Sequence, residues 1–167
     1  LVVLSLQETT LDAFTGDAIT DHRGGYDYTL MTCPLDHGNA EALRTMLPWT
    51  APSVLDCRES FGAGDRIGSP AQATPWHIES CEGYNVTPVL AQQSVRENTK
   101  TGRSFREVLD DVTWSVLRSN YRKPWGSDAD HLKKLDEIDE AVEAGFTMFT
   151  LDPSDLIDNG ADTDTDD

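Results

Sequence analysis

The chain has 167 residues, 38% of them hydrophobic, and a formal charge of −17. That length can bury one core of single-domain size, and that charge argues against nucleic acid or an anionic membrane surface as partner, since both select a basic footprint. Cys33, Cys57 and Cys81 form an odd set without a C-x-x-C pair, so neither a disulfide framework nor a thiolate zinc site is expected, and each reads as a small buried apolar residue. No apolar run approaches a membrane span, and the start, Leu1 to Leu6, has neither an initiator Met nor a basic flank. The expectation is a cytoplasmic protein whose first residue here is not its true beginning.

In chain order, Leu1 to Leu6 suits a strand and Tyr26 to Cys33 a second, with Gly24-Gly25 breaking the chain between them, so the two can pair. From Asp36 to Leu47 the spacing predicts a helix, with Asp36 as N-cap, Ala40, Leu43, Met46 and Leu47 at helical intervals, and Pro48 as a stop. Residues 1–50 therefore read as a small β-β-α segment.

From Ser53 a repeated plan follows. Ser53 to Arg58 reads as a short strand, Phe61 to Gly68 as a loop, and Ala73 to about Glu82 as a helix with Thr74-Pro75 as N-cap and first-turn proline. Val86 to Ala91 is the next strand and Gln92 to Glu97 its loop. The helix after it starts at Ser104, where Ser104 and Glu107 form a capping box and Phe105, Val108, Leu109, Val112 and Val116 share a face. Tyr121 to Trp125 is a weak third strand leading into an Asp-Ala-Asp-His loop. A helix from about Lys134 to Ala144 buries Leu135, Ile138, Ala141 and Val142 and stops at Gly145. Phe146 to Leu151 is the fourth strand, followed by Asp152, Asp155, Asp158 and Asn159.

Strand, polar loop and helix in repetition predict a parallel α/β protein. The expected fold is a partial (β/α)₈ barrel of TIM type with about four βα units, residues 51–167 forming roughly its first half. In such folds the loops at the carboxyl ends of the strands share one face, where barrel enzymes keep their chemistry.

The densest candidate site is Asp128-Ala129-Asp130-His131. Asp at alternate positions aims both carboxylates into one space if the backbone is extended, and the adjacent His adds a nitrogen ligand of the kind divalent metals accept. A solvated turn with Asp as helix N-cap is the plain alternative. Other motifs fail. Gly62, Gly64 and Gly68 give G-x-G-x-x-x-G, one residue too long for a dinucleotide fingerprint, and Ile157 breaks the EF-hand spacing counted from Asp155. His77 reads as a partly buried, hydrogen-bonded histidine outside the metal set, and Trp114 and Trp125 read as packing residues.

Five runs in one order resemble the tagaturonate/fructuronate epimerases: Ser60 to Gly68, Ala73 to Ile78, Ala91 to Glu97, Asp128 to Leu132, and Ala144 to Pro153. The resemblance covers most of the chain from about Thr32 onward. It implies an isomerase that interconverts two ketohexuronates by inverting one hydroxyl-bearing carbon, uses a divalent metal cation, and is built on a barrel longer than this chain, so that the piece alone is expected to be inactive. Carried over by position, Asp130 would be the proton acceptor and His131 a metal ligand. Asp65, Arg66, Gln92, Gln93, Arg96, Asp128 and Asp152 would contact substrate, with one of the two glutamines facing the core. Two other classes stay open: a different metal-dependent sugar aldolase or isomerase on the same fold, and a non-catalytic acidic interaction module.

Overall fold

The computed structural model describes residues 1–5, 11–56, 58–63, 72–158 and 160. The chain opens on strand β1 (Val2–Ser5), a hairpin of β2 (Asp17–Arg23) and β3 (Tyr26–Thr32), and helix α1 (His37–Met46). The first and last of these strands pair antiparallel as expected, and β2 joins the other edge of β3, giving the order β1-β3-β2. Strand β2 was not expected from the sequence: it is exposed along its whole length, so no hydrophobic alternation marks it. Asp36 caps α1 by accepting from the Asn39 N–H, and Leu47 closes it before a short 3-10 turn at Pro48–Thr50.

The second sheet is all parallel and runs in sequence order: β4 (Ser60–Gly62), β5 (Thr87–Ser94), β6 (Gly126–Leu132) and β7 (Met148–Leu151). Between them run α2 (Thr74–Cys81), α3 (Val95–Thr101) with α4 (Phe105–Arg118), and α5 (Leu135–Ala144). Strand, helix, strand in one sense is the predicted grammar, and it holds across four strands.

Two predicted strands are misplaced. Ser53 to Arg58 is not one: the Ser53 N–H donates to the Trp125 carbonyl at 2.7 Å, Asp56 turns at φ +52, and the strand forms later, at Ser60–Gly62. Tyr121 to Trp125 is not one either. The strand starts at Gly126 and contains the Asp-Ala-Asp-His run expected to be a loop. Trp125, fully buried, instead anchors the entry to β6 by donating its indole N–H to the Trp49 carbonyl at 3.2 Å. At the start of α2 the N-cap position is Ala73 without a side-chain bond, and Thr74 lies buried inside the first turn.

The core lies between the parallel sheet and its helices. Phe105, Val108, Leu109, Val112 and Val116 of α4 are all buried against Ala91, Ala129 and Leu132, and the Phe105 and Phe146 rings meet edge to face at 5.2 Å. The capping box of Ser104 and Glu107 is present. Helix α5 departs from expectation: Ala141 is buried and Ile138 packs on the core, but Leu135 is 80% and Val142 56% exposed. Gly145 ends α5 in the left-handed region at φ +95, where a Cβ would be strained.

One charged knot joins the two sheets' helices. Asp110 of α4 accepts from Arg44 Nη1 at 2.9 Å and faces His37 Nδ1 at 2.8 Å, both on α1, while Arg44 also donates to Thr113 at 3.0 Å. The Arg44 and Asp110 side chains are only 12% and 10% exposed, so removing one leaves the other charge desolvated. Asp110→Ala should therefore cost about 3 kcal/mol in urea unfolding, and Asp110→Asn, which keeps an acceptor, clearly less. Equal, small losses for both would show that α1 docks by apolar packing alone.

Candidate active site

Strand β6 is extended, so its side chains alternate between two faces. Gln93 of β5 stands in register with Ala129, and both are fully buried on the helix-covered face. Gln92 stands opposite Asp128 and Ser94 opposite Asp130, on the other face. Of the two glutamines, Gln93 is thus the one turned to the core.

The alternation ends at His131. Between Ala129 and Leu132 the pairing with β7 gains one residue, and His131 takes φ +59. This bulge returns Leu132 to the core at 2% exposure and leaves His131 at the mouth of the sheet, its side chain 61% exposed. Its Nδ1 lies 2.8 Å from Asp130 Oδ1, whose side chain is 10% exposed. A carboxylate held against Nδ1 favours the proton there and leaves Nε2 as the free lone pair, the arrangement in which a histidine is oriented for use as a ligand or acceptor.

Asp130 and His131 line a cavity of about 560 Å³ together with Ser94, Arg96, Lys133 and Asp152, among others. Strand β5 passes directly into α3 here, and Ser94 forms a capping box with Glu97: Ser94 Oγ accepts from the Glu97 N–H at 3.2 Å, and Glu97 Oε2 accepts from the Ser94 N–H at 3.1 Å. This short helix stands where a loop was expected. It carries Arg96, which is exposed and has no acidic partner among the described residues. At the opposite wall the Asp152 N–H donates to the Leu132 carbonyl at 2.8 Å, and Lys133 Nζ reaches Asp155 at 2.6 Å and Asp152 at 3.7 Å.

One row deeper, Gln92 Nε2 donates to Asp128 Oδ2 at 3.1 Å, and Thr150 Oγ1 lies 2.9 Å from Asp128 Oδ1. The structure therefore brings together six of the nine expected residues, Gln92, Arg96, Asp128, Asp130, His131 and Asp152, in two adjoining tiers, and turns Gln93 away. Asp65 and Arg66 lie outside the described residues. Ser94, Lys133 and Thr150 join the site without having been expected there. Thr150 was legible in principle, being two residues before Asp152 in a strand that alternates.

Among the described residues no three of His, Cys, Asp or Glu converge closely enough to hold a metal ion. The donors fit one ligand of a metal centre, His131, and not a whole one.

An acid, an imidazole and cations gathered in a cavity at the carboxyl ends of parallel strands place the molecule among α/β proteins with an enzyme-type site on that face. The sequence pattern of the tagaturonate epimerase family, UxaE, matches residues 1–167, and the chain belongs to that family. The tagaturonate/fructuronate epimerase of Thermotoga maritima is 46% identical over 127 residues, which are 76% of this chain and 26% of that protein. Crystal structures of the fructuronate-tagaturonate epimerase UxaE from Cohnella laeviribosi, native and with one glycerol, superpose with a TM-score of 0.78 at 35% identity, over 94% and 93% of this chain and 30% of theirs. The chain thus spans between a quarter and a third of the length of these relatives.

The hydroxyl and backbone N–H of Ser154 hold the Asp152 carboxyl below its ordinary 3.8, with Lys133 and His131 adding smaller pulls the same way. A depressed carboxyl adds stability that is present above 3.8 and lost as pH falls through the lower folded value. By NMR titration Asp152 should titrate below 3.8, and Ser154→Ala should bring it back toward that value. An unchanged midpoint in the variant would mean that Ser154 does not set it.

Proposed function

We propose that this chain forms part of a cytoplasmic enzyme that interconverts D-tagaturonate and D-fructuronate. In this reading the parallel strands belong to a (β/α)₈ barrel whose first units follow an N-terminal segment of about 50 residues. The observation that carries the reading is the nearly buried Asp130 carboxylate lying 2.8 Å from His131 Nδ1 at the carboxyl end of β6, in a chain of this family.

The chemistry follows from the substrate. The inverted carbon is one bond beyond the carbon next to the ketone, so its C–H is not acidified by enolisation, and direct proton abstraction there would be slow. A retro-aldol route avoids this. Asp130 accepts the proton of the hydroxyl on that carbon, the carbon–carbon bond toward the ketone opens, and an aldehyde and an enediolate form. The aldehyde turns, the bond re-forms on its other face, and Asp130 returns the proton to the new hydroxyl. Arg96, exposed at the cavity, holds the substrate carboxylate through a bidentate contact. Gln92 and Asp128 contact sugar hydroxyls from below.

His131, with Nδ1 turned to Asp130, would give its other nitrogen to a divalent cation, with the remaining ligands supplied by parts of the longer protein. Such a cation, when bound, supplies Lewis-acid polarisation of the ketone.

In the full-length protein, His131→Ala should lower metal content and activity together. Asp130→Asn keeps an acceptor for His131 Nδ1 and should keep most of the metal, while turnover falls about 100-fold or more. Metal analysis beside product analysis on both ketohexuronates separates the roles. Should Asp130→Asn lose metal as fully as His131→Ala, Asp130 is a ligand, and parent-like turnover in both variants would remove the site from the reaction.

A further inference from the structure

Four neighbouring strands contribute an oblique row of residues to the inner face of the sheet: Gly62 of β4, Gln92 of β5, Asp128 of β6 and Thr150 of β7. Gln92 and Asp128 are in register, and Gly62 and Thr150 reach them diagonally, since the backbone pairing sets Gly62 opposite Val89 and Asp128 opposite Met148. The Asp128 carboxylate, 2% exposed, sits in the middle of that row. Thr150 Oγ1 straddles it, 2.9 Å from Oδ1 and 3.1 Å from Oδ2, and the Gln92 amide approaches Oδ2 at 3.1 Å from the other side. These are its hydrogen-bond partners among the described residues, and both are neutral.

Gly62 has a distinct part. A Cβ built there would lie 2.6 Å from Gln92 Oε1 and 3.1 Å from its Cδ and Nε2, so the absence of a side chain at this position is what lets the Gln92 amide lie flat beside Asp128. We propose that Thr150 and Gly62 are positioning residues that lock Gln92 and Asp128 into a fixed hydroxyl-binding floor beneath Asp130, Thr150 by clamping the carboxylate and Gly62 by leaving room for the amide.

A carboxylate offers about four acceptor sites, and one hydroxyl and one amide fill at most two of them, which leaves acceptors for the hydroxyl protons of a polyol. An unclamped Asp side chain turns freely about its last torsion, and a ligand must then stop that motion as well as bind. The clamp removes this cost before substrate arrives. The ligand class follows from these free acceptors: a polyhydroxylated chain with hydroxyls facing the row. The inference rests on the epimerase reading, which makes that chain a ketohexuronate.

The test uses the full-length protein, with steady-state kinetics on tagaturonate and calorimetry of tagaturonate binding. Thr150→Val keeps the shape and removes the hydroxyl. It should raise KM and Kd about tenfold while kcat stays within about twofold, because the clamp serves the ground state and the transition state equally. Thr150→Ser should restore both constants. Gly62→Ala should raise KM and Kd similarly at little cost in stability, since the atom it displaces is the far end of a flexible side chain. A purely structural role would instead lower the apparent kcat through the folded fraction and leave KM and Kd alone. That result, or a Thr150→Ser variant as impaired as Thr150→Val, overturns the assignment. A parent that binds tagaturonate without turning it over sinks the epimerase reading alone, and the Kd comparison still decides the clamp. A parent that does neither overturns both.

Discussion

The register of β6 between β5 and β7 is the constraint on which the rest of the structure depends. With Asp128 opposite Gln92 and Ala129 opposite Gln93, one face of the strand carries carboxylates and the other carries the apolar residues on which the helices pack. A slip of one residue would drive Asp128 and Asp130 into the space now filled by Phe105, Val108 and Leu109, at the cost of burying two unpaired charges. Core and site are therefore specified by the same hydrogen bonds, and the helices that stabilise the sheet also hold the acids in place.

Two departures from regularity finish the site. The extra residue at His131 breaks the alternation where the strand leaves the sheet, so the imidazole turns back beside Asp130 while Leu132 still reaches the core. At the end of β5 the capping box of Ser94 and Glu97 starts a helix with no intervening loop, which places Arg96 on the same cavity as Asp130. Both cost regular backbone and both occur at the cavity, as expected where irregular geometry serves a site.

Much of this was legible in the sequence, for identifiable reasons. The α4 face and its capping box follow from helical spacing, which no other element disputes, and the α5 stop follows from Gly145. The alternate acids of Asp128 and Asp130 already implied a shared face in an extended chain, yet the strand holding them reads as a loop, because this strand of the parallel sheet carries polar residues where a hydrophobic pattern is sought. For the same reason Tyr121 to Trp125 draws the strand assignment away from it, as Ser53 to Arg58 draws it away from the exposed Ser60–Gly62. Leu135 and Val142 fall on the helical stripe of α5 but not on its buried side, since the neighbour that decides burial is tertiary and leaves no mark in local spacing. Gly62 is invisible as a site residue in the sequence because its effect lies in the room it leaves for Gln92 across the sheet, while Thr150 is marked only by its spacing to Asp152, and its contact with Asp128 is tertiary.

In the bond-opening route the reacting proton belongs to a hydroxyl held by Asp130, and the C–H of the inverted carbon stays untouched. Turnover of tagaturonate by the full-length protein in deuterium oxide, followed by NMR, tests this directly. Fructuronate should appear with protium retained at the inverted carbon. Deuterium at that carbon would mean direct proton exchange there, and would contradict both the bond-opening route and the role given to Asp130.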